Sequence, residues 1–184
     1  MRKLIYGINL TLDGCFDHTK VNGSEEMLEY WTQVLREADL LIYGRITYQL
    51  MVPYWPDVAK SHSMPKAGIE FAKIFDSLDK VVFSRSLDRA EDKKTRIIST
   101  DLQDEILKLK QEQGKDMLVG GVALPSQLIA LGLIDEFLFV VHPIIAGEGR
   151  RLMEGIDFRE KLQLRLVESK SLTSGCMALR YSKQ

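Results

Sequence analysis

Asp116-Met117-Leu118-Val119-Gly120-Gly121-Val122-Ala123 reads as a short strand that stops on two glycines and gives way to a helix. Met117 to Val119 form a compact apolar run of strand length, and helical spacing continues from Ala123 to Leu131, where Gly132 suits the residue just past the helix end. The same grammar occurs twice more. Asp39 to Tyr43 is an apolar strand broken by Gly44, with Arg45, Ile46 and Thr47 opening the next element. Lys80 to Ser84 is a strand followed by Arg85 and Ser86. Three strand ends thus release into glycine, arginine or hydroxyl residues.

The rest of the chain fits around these units. Lys3 to Leu10 places Leu4, Tyr6, Ile8 and Leu10 on one side and Ile5 on the other, as a buried strand requires, and Asp13-Gly14 turns it. Ser24 can cap a helix in which Met27, Leu28, Trp31, Val34, Leu35 and Ala38 recur at helical spacing. Ile46 to Met51 and Ile69 to Phe75 read as short helices. Pro53 and Pro56 bracket an irregular loop holding Tyr54 and Trp55. Arg96 to Ser99 is a strand, Leu102 to Gln113 an amphipathic helix, and Glu136 to His142 a fully buried strand. Leu162, Leu164 and Leu166 alternate with polar residues. A Ser174-Gly175 turn then leads into a last strand, Cys176 to Tyr181, which predicts an antiparallel hairpin. Strands alternating with helices and ending in a hairpin give an α/β sandwich around a mixed sheet, expected to be one domain over residues 1–184.

Composition narrows the function. The 184 residues carry 25 Lys+Arg and 26 Asp+Glu, a formal charge of −1, which does not suit a generic nucleic-acid binder. No stretch approaches the ~18 apolar residues of a membrane span, and MRKLIYGINL soon meets Asn9, Thr11 and Asp13, which suits a first strand better than a signal peptide. Cys15 and Cys176 lack C-x-x-C spacing and read as reduced thiols of a cytoplasmic protein. His18, His62 and His142 are too scattered for a metal site; His18, after the first strand, is a candidate to assist catalysis.

In open α/β sheets ligands sit beyond the carboxyl ends of the strands. Helix N-termini offer unpaired N–H groups to anions, glycine permits close backbone approach, and arginine presents a planar fork to phosphate. Each of the three sites also has a plain explanation as turn glycines or solvated arginines. Together they suit an elongated polyphosphate ligand such as a dinucleotide. Neither G-x-G-x-x-G after the first strand nor a Walker A loop is present, so a Rossmann domain and a P-loop are disfavoured.

Five stretches carry a more specific likeness: the first strand with Leu12-Asp13-Gly14, then Tyr43 to Tyr48, Val82 to Ser86, Val119-Gly120-Gly121, and Pro143 to Gly149. In this order they resemble the dihydrofolate reductase superfamily, nearest the branch that includes the reductase domain of bifunctional riboflavin-biosynthesis enzymes. The resemblance implies a three-layer sandwich with a central mixed eight-stranded sheet. It implies NADPH as hydride donor and a small heterocycle as acceptor. Gly44, Arg45 and Thr47 would hold the cofactor's phosphates, and Gly120, Gly121, Val122 and Ala123 its pyrophosphate. Ser84, Arg85 and Ser86 would hold the adenosine 2′-phosphate, a cation and hydroxyls standing where an NAD site offers a carboxylate. The acceptor it implies is of the 5-amino-6-(5-phosphoribosylamino)uracil type; the alternatives are dihydrofolate or, in another class, a non-catalytic NADP-binding or regulatory protein. Asp13, which could orient substrate or relay a proton, and Glu29, on the first helix, are the acidic candidates. The H-x-E and P-C-x-x-C motifs of the linked zinc deaminase are absent. A homodimer is a further expectation, from apolar edges at the C-terminal hairpin and the Phe137 strand.

Overall fold

The computed structural model describes residues 1–16, 24–61, 63–153 and 161–184. Along the chain run β1 (Leu4–Thr11), α1 (Glu25–Glu37), β2 (Ala38–Gly44), α2 (Arg45–Ser61), α3 (Lys66–Ser77), β3 (Asp79–Phe83) and β4 (Thr95–Ile98). There follow α4 (Leu102–Gln111), β5 (Asp116–Val119), α5 (Ala123–Ala130), β6 (Glu136–His142), β7 (Leu164–Ser171) and β8 (Met177–Lys183). Among the described residues the strands form one eight-stranded sheet in the order β4-β3-β2-β5-β1-β6-β8-β7. The first six in that order are parallel, and β8 and β7 close the sheet as the antiparallel hairpin that the Leu164 alternation predicts.

Alternation along each strand divides the core into two layers. Leu4 and Tyr6 of β1, Ile42 of β2 and Val119 of β5 pack against α4 and α5 through Ile106, Leu109, Leu124 and Leu128. Ile5, Leu41, Tyr43 and Leu118 face the other way, onto Val34 and Leu35 of α1, Tyr48 and Val52 of α2 and Phe71 and Phe75 of α3. α1 starts as its sequence suggests, with the Ser24 hydroxyl accepting from Met27 N at 3.1 Å and Glu25 and Glu26 in the first turn.

One element departs from expectation. The short helix over residues 46–51 and the proline-bracketed loop are a single helix, α2, which runs through both Pro53 and Pro56. Proline removes a backbone donor and crowds the preceding turn, which ordinarily ends a helix. Here packing outweighs that cost: Tyr48, Val52, Pro56 and Val58 are buried, and Trp55 lies 4.4 Å from the Phe71 ring. Trp55 thus packs against α3, and the half-exposed Tyr54 stands edge-on to Trp55.

The strands begin at an ionic clasp. Arg2 pairs with Asp39, Lys110 with Asp135 at 2.6 Å, and Glu136 takes both Lys3 at 2.6 Å and Arg180 at 2.7 Å. Glu136 is almost fully buried, and its hydrogen bonds to Lys3 and Arg180 hold its carboxyl below the usual range despite desolvation.

Candidate active site

At the opposite rim lie the carboxyl ends of β1, β2, β3, β5 and β6, because these strands run parallel. β5 stops at Val119, opposite Tyr6 of β1 and Ile42 of β2. β1 continues to Thr11 beside β6 alone. Residues 7–11 therefore present one edge with no strand beside it, and a slot opens at the centre of the sheet. The chain leaves β5 through Gly120 and Gly121, which border that slot.

Gly121 has φ +90°, a left-handed conformation that disfavours any side chain. A Cβ there would also overlap Thr47 Oγ1 and lie 3.1 Å from Thr47 Cβ. The Gly120-Gly121 turn and the first turn of α2 are thus in direct contact. The Tyr6 hydroxyl fixes the turn from below by donating to Gly121 O at 2.9 Å, and burial pushes the Tyr6 pKa far up, keeping it a neutral donor. α5 opens immediately afterwards; its preceding residue, Val122, provides no side-chain cap, and its first turn has no acidic residue. α2 likewise has no acid in its first turn. Two helix N-termini free of carboxylates, with Gly44, Thr47, Gly120 and Gly121 between them, make an anion-accepting surface. Arg45 is exposed at the start of α2, where its Nη1 donates to Gln49 Oε1 at 3.0 Å.

Ser84 follows β3, the strand next to β2, with Gly44 level with Phe83. Its hydroxyl accepts from Ser86 N at 3.2 Å and Leu87 N at 3.0 Å, and so shapes its own turn. Arg85 and Ser86 project from that turn, exposed. From β3 to β1 is three strand spacings, about 14 Å. The three loops singled out by sequence therefore line one rim in the order 84–86, 44–47, 120–123.

The acidic candidates part company. Asp13 sits past the end of β1, where its carboxylate accepts from Thr11 Oγ1 at 2.7 Å and from Ala146 N and Gly147 N, both at 3.0 Å. These bonds, Thr11's first, hold its carboxyl well below the usual carboxylate range, so the carboxylate is its form at neutral pH. It pins the segment 143–149 against β1. Glu29 is exposed in the groove between α1 and α3, beside Thr32, Gln33, Arg36, Ala67 and Glu70, apart from the three loops. Its place on α1's helical wheel is turned away from Met27 and Trp31, which face the sheet.

His142 ends β6 almost fully buried, with Nδ1 3.3 Å from Cys176 Sγ, and burial lowers its pKa. His18 and His62 lie outside the described residues. Both cysteines are free and buried, and no cluster of three or more His, Cys, Asp or Glu suits a metal among the described residues. No helix there is long and apolar enough to cross a membrane. Sequence reasoning missed Asn9 and Trp31, which meet over the slot: Trp31 Nε1 donates to Asn9 Oδ1 at 3.0 Å. The available signal was a lone amide interrupting an otherwise apolar strand.

With this geometry in view, comparison with known proteins is decisive. The RibD C-terminal domain family matches residues 2–178. The chain belongs to that family. As a RibD C-terminal domain it is 32% identical to the Bacillus subtilis protein YyaP over 98% of this chain and 94% of that one. It is 26% identical to B. subtilis YwjB, over 89% and 90%. Its fold matches a pyrimidine reductase-like protein of Corynebacterium diphtheriae with a TM-score of 0.67 at 16% identity, covering 100% of this chain and 92% of that one. It also matches a Thermotoga maritima deaminase/5-amino-6-(5-phosphoribosylamino)uracil reductase, TM-score 0.68 at 15% identity, covering all of this RibD C-terminal domain and 57% of that chain.

Proposed function

We propose that this chain is an NADPH-dependent reductase of a small planar heterocycle, of the aminopyrimidine class. The observation that carries the reading is the meeting of Gly121 and Thr47 between two acid-free helix N-termini, in line with Arg85 on the neighbouring strand end. Gly121, with no Cβ, lets the turn lie directly against Thr47, and this pairing of backbone N–H groups with the Thr47 hydroxyl fits a pyrophosphate. Backbone N–H groups of Gly121 to Leu124 would face it, with the Thr47 hydroxyl as a further donor and Arg45 at its margin. Arg85 and Ser86 would meet a 2′-phosphate. Arg85 has no ion-pair partner among the described residues, so its guanidinium is available.

When bound, NADPH supplies the hydride; the chain's part is alignment and exclusion of water. The open edge of residues 7–11 of β1 would receive the planar end of the cofactor, and α1 with Trp31 would cover the acceptor. Asp13 acts as a positioning residue that holds the segment 143–149 beside this end. Being ionised, it leaves the compensating proton to solvent water. Dihydrofolate is the weaker acceptor, because Glu29 stands outside the slot and the sheet-facing side of α1 carries Met27 and Trp31 instead of a carboxylate. A second copy of the chain is the proposed partner: β7 ends the sheet with Leu166 51% and Val167 54% exposed, and sedimentation would show a dimer.

The test is titration with NADPH and NADH by calorimetry, then a panel of aminopyrimidines, pterins and quinones followed by loss of reduced-cofactor absorbance. Tight NADPH binding with turnover on an aminopyrimidine is expected. Binding without turnover on any of them would favour a non-catalytic NADP-binding protein, and no binding would refute both.

A further inference from the structure

Gly7, Ile8 and Asn9 are only half-buried although β1 lies in the middle of the sheet, because β5 has already ended beside them. Alternation turns Gly7 and Asn9 toward α1 and Ile8 toward the other layer. Trp31 covers this spot. A Cβ on Gly7 would come within 2.8 Å of the indole ring, so glycine is what lets the ring lie against the strand. The indole N–H can only donate, and it donates to Asn9 Oδ1 at 3.0 Å. That bond fixes the amide. The oxygen accepts from the indole, which aims the NH₂ group away from Trp31; that group can only donate and has no partner among the described residues.

We propose that Asn9, oriented by Trp31, is a specificity-determining residue of the cleft, its amide NH₂ recognising a carbonyl oxygen on the acceptor ring. The assignment rests on reading the cleft as a reductase site. A ring carbonyl gives the NH₂ an acceptor. A ring amino group in the same place sets donor against donor and leaves both desolvated without a bond, which is how polar sites reject close analogues. Trp31 acts through Asn9 as a positioning residue, and it adds a flat apolar surface beside the ring.

The experiment uses the full chain with Trp55→Phe, which leaves Trp31 as the single tryptophan of the two in the sequence. The protein is saturated with NADP⁺. Trp31 fluorescence is then followed on addition of uracil or of 2,4-diaminopyrimidine, the same ring with both carbonyls replaced by amino groups, at about pH 8.5 so that the diamine is mainly neutral. The chain with Asn9 should bind uracil at least about tenfold more tightly. Asn9→Asp keeps an acceptor for the indole but replaces the donor with an acceptor, and the preference should reverse. Asn9→Ala should abolish the preference without reversing it, which keeps the test alive if the Asn9→Asp chain does not fold. Trp31→Phe, read by calorimetry, should keep binding but weaken the preference.

NADP⁺ binding with the same ring preference in the parent, the Asn9→Asp and the Asn9→Ala chains would overturn the Asn9 assignment and spare the reductase reading. Binding of neither ring in the presence of NADP⁺ would do the same. No NADP⁺ binding at all would overturn both.

Discussion

Gly121→Ala tests the cleft at its tightest point. The residue must keep φ +90°, which costs a non-glycine about 1–2 kcal/mol. The new methyl also overlaps the Thr47 hydroxyl, and the Thr47 Cβ, 3.1 Å away, leaves little room for that side chain to retreat. Overpacking of this kind costs about 1–3 kcal/mol. The turn will relax by moving away from α2, and that movement breaks the surface proposed for the pyrophosphate. If about 2 kcal/mol of the strain appears as lost affinity, NADPH should bind about thirtyfold more weakly. Calorimetric titration measures the affinity and a thermal melt the stability. Gly132→Ala is the control: φ is +69°, but the nearest atom to a new Cβ is the flexible end of Lys183 at 3.3 Å. It should lower the melting temperature slightly and leave NADPH affinity unchanged. A Gly121→Ala chain that binds NADPH within about threefold of the parent would refute the assignment of this turn to the cofactor.

Arg85→Ala should weaken NADPH by about tenfold or more, the worth of a charged hydrogen bond, and leave NADH unchanged; equal losses for both would refute a 2′-phosphate role. Tyr6→Phe removes the bond to Gly121 O and should destabilise the chain by about 1 kcal/mol in urea unfolding while weakening NADPH; unaltered binding would show that the turn holds without it. Asp13 contributes stability through its ionised form, because its folded pKa lies below the ordinary 3.8. That contribution is complete above about pH 4 and is lost as pH falls through the depressed folded value. Asp13→Asn should therefore lower the melting temperature at pH 7 and flatten its fall in acid; parallel melting curves from pH 7 to pH 2 would contradict this.

Local pattern was enough for much of this architecture. The strand alternation of Leu4 to Leu10, the Ser24 cap and the Ser174-Gly175 turn are short-range signals, and each lies where it was expected. The mixed sheet followed from helices inserted between strands. α2 was illegible for the opposite reason. Pro53 and Pro56 argue locally for a break, and only contacts with α3, distant in sequence, keep the helix going. At the rim, the three loops expected to hold phosphate could be picked out because glycine, arginine and hydroxyls are visible in the sequence. Their alignment depends on the order β3-β2-β5-β1, which no single segment encodes. The face on which Glu29 lies could not be read locally, because helical phase decides which way a carboxylate points, and one residue of register is about 100° of rotation. Asn9 and Trp31 stayed hidden because each alone looks like ordinary strand and core material; only the fold brings the indole N–H to the amide.

The charged pairs at the start of the strands and the loops at their finish have no residue in common. Arg2, Asp39, Glu136 and Arg180 anchor one end of the sheet while Thr47, Arg85 and Gly121 occupy the other. Changes of ligand chemistry can therefore accumulate at one pole without disturbing the fastening at the other. Exposed loop side chains such as Arg85 can change in a scaffold divided in this way without loosening the clasp, whereas the packed Gly121 turn cannot.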